Sequence, residues 1–184
     1  MSTTTATLPK TGTWVIDPSH SSIEFLATHL VVSKVRGRFT AFSGTVEIAD
    51  PVEHSTVDVS IEAGSIDTGD ADRDGHLTSD DFLDVGRFPT LTFRSTGAHH
   101  RDGDHWTIPG ELTIRDTTKP VDLDVEYLGV ITDPWGNDKA VFAASTELDR
   151  EEFGITWNQA LETGGVLVGK TVKIDLDVQL AAQG

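Results

Sequence analysis

The most regular stretch of the chain is Thr171–Ala181, TVKIDLDVQLA. Val172, Ile174, Leu176, Val178 and Leu180 alternate there with Lys173, Asp175, Asp177 and Gln179. Successive side chains of an extended strand point to opposite faces, so a strict period of two describes a strand with one dry side and one wet side. The pattern recurs at Val121–Tyr127, where Val121, Leu123, Val125 and Tyr127 alternate with Asp122, Asp124 and Glu126, and at Thr56–Glu62 with Val57, Val59 and Ile61. Thr13–Ile16, Ser22–His29, Val35–Phe39, Gly44–Ile48, Thr90–Ser95, Trp106–Ile114 and Ala140–Ser145 read as further strands. Turn dipeptides separate them, among them Asp17-Pro18, Asp50-Pro51, Asp102-Gly103 and Asp133-Pro134. Helical periodicity is confined to two short helices expected between Asp70 and Asp84, the second capped by Ser79, and a short turn is expected at Asp149–Phe153. Eight or more short antiparallel strands make an all-β sandwich or a closed barrel, and alternation alone leaves both open.

With 184 residues the chain is long enough for one domain with a sizeable core, expected over residues 13–184 behind a disordered tail at 1–12. Fourteen basic against thirty acidic residues give a net charge of −16. A field of that sign repels phosphate backbones and anionic headgroups, so neither nucleic acid nor stable membrane insertion is expected. Cysteine is absent, which excludes disulfides, thiolate nucleophiles and cysteine-ligated metals. The opening residues MSTTTATLPKTG lack a basic segment followed by an apolar run, and a cytoplasmic location is expected on that ground.

Several strings invite a chemical reading. GGVLVGKT, residues 164–171, matches the phosphate-loop pattern, but such a loop must open a helix and here it opens the most regular strand of the chain. His99, His100 and His105 with Asp102 and Asp104 could ligate a metal, yet Asp102-Gly103 marks them as a solvated hairpin tip, and no metal is expected. Asp17, Ser19 and His20 stand too close in sequence for a catalytic triad and read as a turn. Arg73, Asp74, His76, Asp80, Asp81 and Asp84 form the densest polar cluster. It reads either as an acid–base set, the enzyme alternative of a hydrolase or isomerase, or as a helical cap with Leu77, Phe82 and Leu83 turned onto the sheet. His29 shares strand parity with Ile23, Phe25 and Ala27, as a core histidine or as a polar contact for a ligand.

Four long segments carry a resemblance: WVIDPSHSSIEFLATHLVVSKVRGRFTAFSGTVEI, SIDTGDADRDGHLTSDDFLDVGRFPTLTFRST, GELTIRDTTKPVDLDVEYLG and FGITWNQALETGGVLVGKTVKIDLDVQL. Together, from about Trp14 to Leu180, they resemble the YceI-like family of polyisoprenoid-binding proteins. The resemblance implies an extended, lipocalin-like antiparallel barrel of about eight strands around an apolar tunnel, often dimeric. It implies a polyprenyl ligand such as an isoprenoid quinone, no catalytic residues, and no cofactor besides that ligand. Many family members are periplasmic. On this reading Phe25, Phe39, Phe42, Phe82, Phe88, Phe93, Ile114 and Phe142 are expected to line the tunnel, and His29, Arg73, His76 and Arg36 to meet the ligand's polar end. A barrel filled by its own side chains, serving a structural or stress role, is the remaining alternative.

Overall fold

The alternating strands wrap into a closed wall. The computed structural model describes residues 7–184. Among the described residues twelve strands occur in chain order: β1 Gly12–Ile16, β2 Ser22–His29, β3 Ser33–Phe39, β4 Phe42–Ile48, β5 Thr56–Glu62, β6 Ile66–Asp67, β7 Thr90–Ser95, β8 His99–Asp102, β9 His105–Ile114, β10 Thr117–Thr132, β11 Asp138–Asp149 and β12 Val168–Ala182. The first six are paired segments of three bent staves. β1 and β2 both lie against β12, with Trp14 opposite Ala182 and Ser22 opposite Asp177. β4 follows β1 and β3 follows β2 on the other side, and β5 and β6 do the same against β4 and β3. β7, β9, β10, β11 and β12 complete an antiparallel barrel of eight staves, closed where β1 meets β12, with β8 as a flap on β9. Two features were not visible as separate strands in the sequence: the two-residue β6 and the exposed β8.

The bend between β1 and β2 has a local cause. Asp17 accepts hydrogen bonds from Ser19 N at 3.0 Å and Ser19 Oγ at 2.6 Å, and its second oxygen lies 2.9 Å from His20 Nδ1. Asp17 N and Ser21 Oγ then hold the backbone of Gln179 in β12. The Ser19 and His20 bonds hold the Asp17 carboxyl at about 2, below its ordinary 3.8. Because the folded value is depressed, this stabilisation is complete above pH 3.8 and disappears as pH falls toward 2. Asp17→Ala is expected to lower unfolding free energy by about 1 kcal/mol at neutral pH. The difference from the parent protein should narrow below pH 3.8, as read from urea midpoints across pH. A pH-independent difference would remove the charge from this account.

One α-helix, α1 Ala71–Thr78, occupies the region where two were expected. Asp70 caps it by accepting from Arg73 N, and Ser79 ends it, its Oγ bonding His76 O at 2.6 Å. Ser79 is thus a C-cap, and residues 80–87 form successive turns that drive Phe82 and Leu83 into the core. The tail expected at residues 1–12 is described only in part. Residues 1–6 lie outside the described residues, but from Thr7 the chain is laid across one end of the barrel. Thr7 O accepts from the Tyr127 hydroxyl at 2.6 Å and Lys10 O from Trp14 Nε1 at 2.9 Å. No helix among the described residues is long and apolar enough to cross a membrane.

Candidate ligand cavity

Inward positions of neighbouring staves face each other in register. Val125 of β10 stands opposite Ala144 of β11, which stands opposite Leu176 of β12; Leu176 stands opposite Ile23 of β2, and Ile23 opposite Phe39 of β3. Buried clusters close the two ends. One is built on Trp14, Ile16, Val46, Ile48, Ala140 and Leu180, the other on Phe82, Leu83, Leu91, Ile114, Phe153 and Ile155 with their neighbours. Between them the barrel encloses a cavity of about 360 Å³, within the range of small-molecule sites. Phe42 and Val59, which pack on both clusters, border it between them, as does Phe142.

Glycines keep this lumen open. A Cβ on Gly37 would stand 2.2 Å from Phe25 Cζ, and one on Gly110 would stand 2.4 Å from Phe93 Cζ. Each ring therefore lies back over a glycine in the wall. With any larger residue there, the ring would have to shift from the wall.

Of the residues the sequence pointed to, Phe25, Phe39, Phe42, Phe82, Phe93, Ile114 and Phe142 border the cavity. Phe88 does not: it lies in the turn before β7, under the Arg87 guanidinium at 5.0 Å. The four head-group candidates also stand outside it. His29 ends β2 opposite Val168, where the pairing with β12 slips between Val168 and Val172, so the parity that turns Phe25 and Ala27 inward is lost. Arg73 spends its Nε and Nη2 on the Thr68 hydroxyl and carbonyl, at 2.7 and 2.9 Å, and is exposed. His76 bonds Asp81 at 2.8 Å and sets its ring edge-on to Phe82 and Trp157. Arg36 projects from the outer side of β3. Of the rest of the polar cluster, Asp80 is exposed, while Asp74 and Asp84 are engaged. Asp74 accepts from Thr68 N and Oγ1, and Asp84 pairs with Arg87, so these groups pin α1 and its following turns to the barrel.

The one charged side chain bordering the cavity, among the described residues, is Arg150. It is 6 % exposed and meets no carboxylate within ion-pair distance. Its guanidinium donates instead to four backbone carbonyls: Nε to Gly169 at 2.8 Å, Nη1 to Ile155 at 2.8 Å and Trp157 at 3.0 Å, and Nη2 to Val168 at 3.2 Å. Burial pushes the guanidinium below its ordinary value, opposed by the flanking Glu151 and Asp149 charges. Asn158 adds two bonds to Val168, so Arg150 and Asn158 together clasp residues 155–168 across this end of the barrel. At the other end burial, with the Asp104 charge, raises the Tyr127 phenol. The sequence held a signal for Arg150. Phe142, Ala144, Thr146 and Leu148 all border the cavity, and the same parity carried one step past β11 reaches residue 150.

The phosphate-loop string is a loop running into β12. Gly164 and Gly165 have positive φ, Gly169–Thr171 lie in the strand, and no helix follows. The three histidines at 99, 100 and 105 lie on the exposed β8–β9 hairpin.

Fold and cavity define a class: closed antiparallel barrels built around an apolar internal chamber. Within it the chain belongs to the YceI-like domain family, whose model matches residues 14–180. A UPF0312 protein of Shewanella denitrificans is 39 % identical over 170 residues, covering 90 % of this chain and 85 % of that one. The crystal structure of the Campylobacter jejuni YceI protein superposes with a TM-score of 0.73 at 26 % identity, covering 85 % of this chain and 90 % of that one. A polyisoprenoid binding domain from Saccharophagus degradans, implicated in plant cell wall breakdown, has the same fold (TM-score 0.72) at 12 % identity, covering 95 % of this chain and all of that one.

Proposed function

We propose that the protein binds, stores or carries a long-chain polyisoprenoid lipid, an isoprenoid quinone or a polyprenyl amphiphile, along the axis of its barrel. The observation that carries this reading is the cavity itself: about 360 Å³ bordered almost wholly by carbon, which a filled structural barrel would not contain. Family membership supports it, as does the name of the Saccharophagus domain. Each methylene moved from water into such a lining gains roughly 0.8 kcal/mol, so a five-carbon isoprene unit gains about 3–4 kcal/mol before ordering costs. A few units give tight binding without any polar contact. The clasped Arg150 at one end retains an N–H for a carbonyl or other acceptor on the ligand's head. Leu128–Thr132 of β10, which among the described residues pairs with β11 alone and exposes Leu128 and Ile131, supports the homodimer that the family implies. None of the polar side chains Arg73, Asp74, His76, Asp80, Asp81 and Asp84 borders the cavity, and no observation favours the enzyme alternative.

The test is titration of delipidated protein with an isoprenoid quinone, alongside mass spectrometry of an organic extract of the purified protein. Stoichiometric uptake supports carriage; no uptake and no extracted lipid overturn it. Phe93→Asp places a carboxylate with no partner in the lining, over Gly110, and is expected to reduce uptake at least a hundredfold. Unchanged uptake would remove Phe93 from the binding surface.

A further inference from the structure

The Arg150 end of the barrel is fenced by carboxylates. Asp149 and Glu151 flank Arg150, Glu152 precedes Phe153, Asp81 precedes Phe82, and Asp116 stands two residues past Ile114; Arg150, Phe153, Phe82 and Ile114 all border the cavity. The cations at this end are engaged elsewhere. Arg87 pairs with Asp84 at 3.3 Å and Lys170 with Glu151 at 3.4 Å. Arg73 bonds Thr68, and Arg115 turns its Nη1 to the carbonyls of Phe82 and Gly154, at 3.3 and 3.5 Å. Lys34, Arg36 and Arg38 alternate along β3 with the inward Phe39 parity and so lie on its outer side, where Arg36 and Arg38 share a groove with Glu24, Asp67 and Asp175.

The opposite end has the same sign. Asp104 adds its charge to the burial that raises the Tyr127 phenol, Glu126 precedes Tyr127, and Asp133 and Asp138 lie at the turn between β10 and β11. Lys10 pairs with Asp138 at 3.6 Å, and the Lys139 charge acts on Asp133. The donors beneath this rim are in use, the Tyr127 hydroxyl on Thr7 O and Trp14 Nε1 on Lys10 O. Between the rims, Arg150 is the one cation bordering the cavity among the described residues, and four of its five N–H groups already donate to backbone carbonyls. An anion entering the barrel would find one N–H and no free counter-charge.

Taking the cavity as an isoprenoid site, on which this rests, we propose that the barrel selects chains with an uncharged head, an alcohol or a quinone, and rejects the same chains carrying a phosphate or diphosphate. Two effects act in one direction. Inside, a hydroxyl or a quinone carbonyl can be satisfied by a single hydrogen bond, whereas a phosphate stripped of its water needs several donors and an opposite charge. Outside, at either rim, the head stands among carboxylates whose repulsion reaches about 8 Å at physiological ionic strength. Because both rims carry the same sign, the direction in which the chain threads the barrel does not alter the outcome. The net charge of −16 thus does more than keep the protein dispersed: its placement around the two openings sorts the cargo.

Delipidated protein is titrated with geranylgeraniol and, separately, with geranylgeranyl diphosphate, which share one prenyl chain, at low and at high salt. The alcohol is expected to bind at least a hundredfold more tightly at low salt, and the ratio to narrow as salt screens the rims. Asp116 and Glu152 are exposed and, among the described residues, take part in no ion pair, so Asp116→Lys combined with Glu152→Lys leaves the fold intact. The double variant is expected to bind the diphosphate at least fivefold more tightly than the parent protein does and to hold the alcohol within about twofold of the parent affinity. Equal or tighter binding of the diphosphate by the parent protein, no gain for it in the double variant, or a gain shared equally by the alcohol would each overturn the proposal while the carrier reading stands. A barrel that takes up neither ligand would remove the carrier reading, and this selection with it.

Discussion

Ala144→Trp is expected to abolish isoprenoid binding, with at least a hundredfold loss of affinity, while leaving the protein folded. Ala144 sits at mid-barrel between Val125 and Leu176, and its methyl faces the cavity. In a filled core, a change of this size forces neighbours out of their rotamers and destabilises by about 1–3 kcal/mol. Here the indole has lumen to occupy, and the apolar contacts it gains offset the strain. The urea midpoint should therefore stay within about 1 kcal/mol of the parent value while titration with an isoprenoid quinone shows no uptake. This pairing of outcomes separates a chamber from a core. Strong destabilisation would mean that the interior is packed, and intact binding would mean that the ligand lies elsewhere.

Arg150→Met is expected to be the most damaging single change to stability, at about 3 kcal/mol. The methionine fits the apolar surroundings and removes a desolvated charge, which by itself favours folding. Against that, the carbonyls of Ile155, Trp157 and Gly169 lose the donor that the structure gives them, and each buried acceptor left without a partner costs about 1–3 kcal/mol. Val168 O keeps its bond from Asn158 at 2.7 Å, so the clasp is weakened at three points and not four. Faster hydrogen exchange should follow at residues 155–168, with the β9–β10 pairing unaffected. A loss below 1 kcal/mol would show that water replaces the guanidinium and that the side chain is no clasp.

The wall of the barrel was legible because its rule is local. Alternation in TVKIDLDVQLA, VDLDVEY and TVDVSIE names the inward residues directly, and Val172, Ile174, Leu176, Val178 and Leu180 all border the cavity. The ends of the barrel were not, because there the period of two gives way to turns and bulges. Parity read through to His29 fails at the slip between β2 and β12. Phe88 belongs to a segment whose neighbours Phe82 and Leu83 turn inward, and only the path of the 80–87 turns decides that it does not. Arg150 was hidden for a different reason. Within LDREEF a lone cation among three acids reads as a solvated surface, although strand parity places it beside Leu148 on the dry side. Counting strands gives eight or more and the family resemblance about eight, but closure depends on β12 reaching β1 across almost the whole chain, which local patterning does not specify.

That closure decides the route of any guest. The ring of β1, β4, β5, β7, β9, β10, β11 and β12 is hydrogen-bonded all round and offers no lateral slit: prying β11 from β12 would sacrifice eleven registered residue pairs. Passage is therefore axial, and residence time is governed by the short segments stretched over the two rims, Thr7–Lys10 at one and residues 155–168 at the other. Stiffening a rim should lengthen occupancy without altering equilibrium capacity, whereas reinforcing the staves should change neither.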